Sequence, residues 1–201
     1  MAQPILSFSL LLCILYFAGT TASAAVGKSS TSLGYIKTSC SSTRYPSVCL
    51  QSLSVYANKI QRNPQQLAQA ALTVSLNKAR STAAYVSKMT RVKGLKGRQY
   101  QAVRDCVDNM GDSVDRLSRS MKEISQTGRS TGQSDFSWHM SNVQTWVSAA
   151  LTDENTCSDG FAGHGMDGNV KTAIRARVVN VAQVTSNALA LINKYASRHR
   201  A

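Results

Sequence analysis

Between Gly97 and about Gln126, the apolar residues Tyr100, Val103, Val107, Met110, Val114, Leu117, Met121 and Ile124 recur at steps of three and four. That period places them on one face of a helix and predicts a core-facing seam. Gly111 interrupts the segment, at a cost of about 1 kcal/mol relative to Ala. A second face of this kind is formed by Val170, Ile174, Val178, Val181, Ala188, Ile192 and Tyr195, with Thr185 completing the spacing. Met140, Val143, Val147, Ala150 and Leu151 predict a helix from Trp138 to about Thr156. Asn63-Pro64 opens a segment rich in Ala, Leu, Gln and Lys that runs to about Met89. Its proline stands at a first-turn position, where the missing N–H removes no helical bond.

Four long helices result, separated by Lys93–Lys96, Thr127–Asp135 and Gly160–Gly168. Short connections between long amphipathic helices imply antiparallel neighbours, and hence an all-α, up-down-up-down four-helix bundle over residues 64–198. Residues 30–60 precede it and read as shorter helices broken at Ser41–Pro46, an N-terminal helical hairpin.

The first residues follow a different pattern. Ile5 to Phe17 is apolar and uncharged, and Ala22-Ser23-Ala24 supplies small residues at the spacing of a signal-peptidase site. Residues 1–24 are therefore expected to be a signal peptide, too short to span a bilayer comfortably. No later stretch is long and apolar enough to do so. The expectation is a secreted, extracellular protein of residues 25–201, about 177 residues, enough for one domain with a substantial core.

Secretion changes the meaning of the cysteines. Cys13 falls in the leader, leaving Cys40, Cys49, Cys106 and Cys157. An even number in a secreted chain reads as two disulfides, and spacing leaves three pairings open. The local pairing Cys40–Cys49 with the distal pairing Cys106–Cys157 is the expectation adopted. The first would staple the hairpin and the second would tie two bundle helices together, each by roughly 2–4 kcal/mol. No Cys-x-x-Cys or Cys/His grouping suggests a metal.

The formal net charge is +13, yet all ten carboxylates lie between Asp105 and Asp167. That segment carries only Arg116, Arg119, Lys122 and Arg129, for a net 4 − 10 = −6. The basic flanks suit an acidic extracellular polysaccharide or a membrane surface, nucleic acid being a poor partner for a secreted chain. Dispersed Lys and Arg also serve simply to solvate helix faces.

Within the acidic segment, Asp105, Asp108, Asp112 and Asp115 are spaced three, four and three. They share a helical face nearly opposite the apolar seam, pointing outward. A purely structural role is available to them. Asp112 with Arg116, and Asp115 with Arg119, have the i,i+4 spacing of surface pairs that support an exposed helix by roughly 0.2–0.5 kcal/mol.

Catalytic signals are lacking. His139, His164 and His199 have no cysteine or carboxylate at a recognisable catalytic spacing, and there is no Gly-x-Ser-x-Gly, phosphate-binding loop or His-Glu-x-x-His. Asp153-Glu154 are adjacent, so on a helix they point about 100° apart and do not form a glycosidase pair. No enzyme activity and no cofactor are expected.

The stretches SCSSTRYPSVC from Ser39, DCVDNMGDSVDRL from Asp105 and WVSAALTDENTCSDGF from Trp146 resemble the plant pectin methylesterase inhibitor and invertase inhibitor family. The resemblance covers nearly the whole mature chain. It implies a helical hairpin beside a four-helix bundle, and the pairings Cys40–Cys49 and Cys106–Cys157. It also implies an inhibitor of the plant cell wall or apoplast, acting by noncovalent 1:1 complex formation that covers the pectin cleft of a pectin methylesterase. Residue by residue it places Asp108, Asp112, Asp115, Thr156 and Asp159 on the partner-facing surface. Where the family commonly has Glu-Asn-Tyr, this chain has Asp108, Asn109 and Met110. The invertase-directed branch carries Pro-Lys-Phe, and this chain has no proline after Pro64, which argues for the esterase branch. An invertase inhibitor is the first alternative. A non-inhibitory wall protein holding acidic pectin through its basic flanks is the second.

Overall fold

The structure is a computed structural model that describes residues 31–95, 97–162 and 168–199. The expected leader, with Cys13, lies outside the described residues, as do His164 and Asp167. Helix α1 covers residues 31–40. A turn leads to α2 (Pro46–Leu53), a 3-10 turn Ser54–Tyr56 and the short α3 (Ala57–Ile60). Four long helices follow: α4 (Pro64–Met89), α5 (Arg98–Gln126), α6 (Gln133–Asp159) and α7 (Asn169–Ser197).

Local chemistry sets several boundaries. Pro46 and Pro64 stand in the first turns of α2 and α4. Asn63 caps α4, its side-chain oxygen accepting from the Gln66 N–H at 3.0 Å and so satisfying one of the helix's free donors. The reversal before α4 uses left-handed backbone at Gln61 and Arg62, with φ of 44° and 65°.

Each long helix packs on the next, and α7 closes the ring against α4. This is the expected four-helix bundle. Its core holds Val103, Met110, Leu117 and Ile124 of α5, Phe136, Met140, Val143 and Val147 of α6, and Ile174, Val178 and Ile192 of α7. A second cluster joins α1–α3 to α4 and α7 through Ile36, Leu53, Ile60, Leu67, Val74, Val184 and Leu191. Polar clamping adds to it. Asn187 of α7 accepts from the Tyr45 N–H at 3.0 Å and donates to the Tyr45 carbonyl at 2.9 Å, fixing the start of α2.

Three expectations need correction. Helix α6 begins at Gln133 and ends at Asp159, not at Trp138 and Thr156. The seam extends both ways, to Phe136 at one end and to Glu154 and Cys157 at the other, and burial of those positions carries the helix past the apparent breaks. Trp138, read as its first residue, is 60% exposed. On α5, Tyr100 lies outside the core at 41% exposure. The buried line there runs instead through Val103, Cys106, Met110, Ser113, Leu117, Ser120 and Ile124, polar residues filling positions that an apolar count passes over.

Cys40 is bonded to Cys49, and Cys106 to Cys157. The second disulfide joins α5 to α6 with the two Cα atoms 4.4 Å apart.

Candidate functional site

The acidic face of α5 is exposed where the repeat places it. Asp108, Asp112 and Asp115 line one broad open groove between α4 and α5, together with Arg80 and Ala83 of α4 and Val107, Gly111 and Val114 of α5. The groove is thus mixed, with carboxylates along its outer edge and half-buried apolar side chains at its floor.

Among the described residues, Asp108, Asp112 and Asp115 make no side-chain hydrogen bond or ion pair. The i,i+4 pairing of Asp112 with Arg116 does not form. Arg116 turns instead to α6, where its Nε donates to Asp153 Oδ2 at 2.7 Å. Asp153 is mostly shielded, with a side chain 14% exposed. Burial raises its pKa, the Arg116 guanidinium works against that rise, and the nearby Asp112 charge adds to it. Arg80, the cation of the groove, directs its guanidinium to the Ser118 hydroxyl at 3.3 Å. Asp105, first of the acidic series, accepts from Gln101 at 2.8 Å, while its carbonyl accepts from the Asn109 amide at 2.7 Å.

Behind this face lies Glu154, fully buried. Its Oε1 accepts from Ser113 of α5 at 2.8 Å and from Thr185 of α7 at 3.0 Å, while Oε2 has no partner among the described residues. Desolvation pushes its pKa up to about 8, against the opposing pull of the two hydroxyls. At the far end of the same helix pair, Glu123 Oε1 faces His139 Nδ1 at 2.8 Å and accepts from Asn142 at 2.9 Å. The α5–α6 unit that carries the acidic face is thus braced at a disulfide, at Arg116–Asp153 and at Glu123–His139.

The five expected contact residues do not share one surface element. Asp108, Asp112 and Asp115 line the α4–α5 groove. Thr156 and Asp159 are exposed at the C-terminal end of α6, on the other flank of α5, and do not line that groove. The Cys106–Cys157 bond ties their turn to the start of the acidic series. Thr156 donates its hydroxyl to the Thr152 carbonyl at 2.9 Å, leaving lone pairs on its oxygen free. Met110 is fully buried and offers no surface contact. Arg80 and Ala83 were not legible as groove residues, because they come from another helix and no local motif marks them. Gly111 did carry a signal, as an isolated glycine inside an apolar repeat.

Among the described residues no three His, Cys, Asp or Glu side chains converge as a metal site, and no helix is long and apolar enough to cross a membrane. What the structure defines is a disulfide-braced helical bundle with an exposed acidic face. The chain belongs to the plant invertase/pectin methylesterase inhibitor family, whose profile matches residues 34–191. It is 52% identical over 200 residues to the 21 kDa protein of Daucus carota, covering 100% of this chain and 98% of that one. It is 47% identical over 196 residues to pectinesterase inhibitor 11 of Arabidopsis thaliana, covering 96% and 97%. A crystal structure of a mutant pectin methylesterase inhibitor from Arabidopsis shares the fold, with a TM-score of 0.62 at 21% identity over 77% of this chain and 92% of that one.

Proposed function

We propose that this protein inhibits a plant pectin methylesterase by occupying the cleft that the polysaccharide must enter, in a noncovalent 1:1 complex. It does no chemistry of its own. The observation that carries this reading is the row Asp108, Asp112 and Asp115. These carboxylates lie on one open groove and, among the described residues, make no side-chain hydrogen bond or ion pair, in a chain closely similar to proteins named pectinesterase inhibitors. Exposed carboxylates with no intramolecular partner are available to donors on another surface, and they cost the free protein little because water solvates them. Thr156 and Asp159 extend the contact onto the end of α6, and the disulfide holds the two parts in register.

We place its action outside the cell, on the strength of the leader-like residues 1–24 and the two disulfides. The basic residues flanking the acidic segment hold the protein to de-esterified pectin, and this retention weakens as salt screens it. The decisive assay mixes the purified protein with a plant pectin methylesterase and, separately, with an acid invertase, and measures residual activity. Loss of esterase activity alone is expected. Loss of invertase activity alone would overturn the proposal.

A further inference from the structure

Gly111 stands in the middle of α5, a helix of 29 residues, with ordinary helical backbone. A Cβ built on it meets nothing within 4 Å. Neither conformation nor packing in the free protein therefore requires glycine there, although glycine is among the poorest residues for a helix interior. Its position is specific. At about 100° per residue, Gly111 falls between the half-buried Val107 and Val114 on one side and Asp108 and Asp115 on the other. It is three residues after Asp108 and four before Asp115, so it lies between those two carboxylates along the helix. Across the groove stand Arg80 and Ala83 of α4.

We propose that Gly111 is a close-approach notch for the bound esterase: a patch of bare helix backbone that lets a positively charged side chain of the esterase lie against α5 and reach Asp108 and Asp115 together. This rests on the esterase reading above and deepens it. The occupant's charge follows from the carboxylates that bracket the notch without partners of their own, and its closeness from the missing side chain. Any larger residue at 111 would hold that group off both carboxylates, and a hydrogen bond weakens steeply beyond its normal donor–acceptor range. Glycine at this position favours the complex at the expense of the isolated helix, the trade expected where binding opposes stability.

Gly34 provides a control. It too is an exposed helical glycine with open surroundings, but it belongs to α1, whose Ile36 packs into the second hydrophobic cluster away from the groove. The test measures thermal midpoints and inhibition constants against one plant pectin methylesterase for the wild type, Gly111→Ala, Gly111→Leu, Gly34→Ala and the triple variant D108N/D112N/D115N. Both Gly111 variants should melt at or above the wild-type temperature. Their inhibition constants should rise, several-fold for Ala and tenfold or more for Leu, while Gly34→Ala leaves inhibition unchanged. High salt should weaken the wild type more than Gly111→Leu. Wild-type potency in Gly111→Leu, alongside lost potency in the triple variant, would refute the notch and leave the esterase reading standing. A wild type that leaves the esterase fully active would bring down the reading and the notch with it.

Discussion

Ser113 and Thr185, on different helices, donate hydrogen bonds to the same oxygen, Oε1 of Glu154, at 2.8 and 3.0 Å. One buried carboxyl therefore joins α5, α6 and α7 directly behind the acidic face. The two hydroxyls satisfy one of its oxygens and leave the other unpaired, an arrangement far easier for the neutral acid than for the carboxylate.

This makes stability dependent on pH, with a definite sign. The folded-state pKa of Glu154 is raised to about 8 from an ordinary 4.5. Below 4.5 both the folded and the unfolded chain hold the proton, and the stability of the neutral arrangement is fully present. Between 4.5 and about 8 only the unfolded chain releases it, so stability falls as pH rises, by on the order of 1 kcal/mol per pH unit. Urea unfolding from pH 5 to pH 8 should show this fall in the wild type. Glu154→Gln should flatten it over the same range, and an unchanged slope in that variant would reject the assignment.

The acidic row should be separable from the fold. Replacing Asp108, Asp112 and Asp115 together by Asn should leave the thermal midpoint within a few degrees of the wild type, since none makes a side-chain hydrogen bond or ion pair among the described residues. Inhibition of the esterase should weaken at least tenfold, which corresponds to about 1.4 kcal/mol or more. A steady-state inhibition constant checks it, with circular dichroism as the control for folding.

The two disulfides should differ in worth. Cys106–Cys157 closes a loop with a sequence separation of 51, and Cys40–Cys49 one of 9. On the chain-entropy account, C106A/C157A should cost about 4 kcal/mol and C40A/C49A about 3 kcal/mol. Denaturant unfolding of each double variant tests the order. Only the first should also weaken inhibition, because it alone ties Thr156 and Asp159 to the acidic series.

Asn187 should control how firmly the N-terminal helices stay docked. Asn187→Ala removes both of its bonds to Tyr45 and leaves part-buried backbone groups without partners, at a cost of about 1–3 kcal/mol. Amide exchange should then quicken across residues 31–60 well before it does in α4–α7.

The period of the apolar residues was enough to place α5, α6 and α7, while α4, which packs into both hydrophobic clusters, showed itself by its opening and its Ala- and Leu-rich composition. The start of α4 was legible to the residue, since Asn63-Pro64 carries both a cap and a first-turn proline. The ends of α6 were not. Phe136 lies among turn-like residues, and Glu154 is polar although it occupies a core position. The outward direction of Asp108, Asp112 and Asp115 also followed from spacing alone, being the complement of the seam.

The sequence by itself therefore determined the helical class, the order and approximate extent of the bundle, and which face of α5 turns away from the core, because those depend on periodicity within one segment. Tertiary structure alone decided which charges remain free. Arg116 is as well spaced for Asp112 as any helix neighbour, yet it goes to Asp153, a mostly shielded carboxylate that only the packing of α6 against α5 brings within reach. The same holds for Glu154, whose burial required three helices to meet, and for the groove itself, whose far wall comes from Arg80 and Ala83. Contacts between segments distant in the chain leave no local period, so only the folded arrangement of the helices could bring them to light.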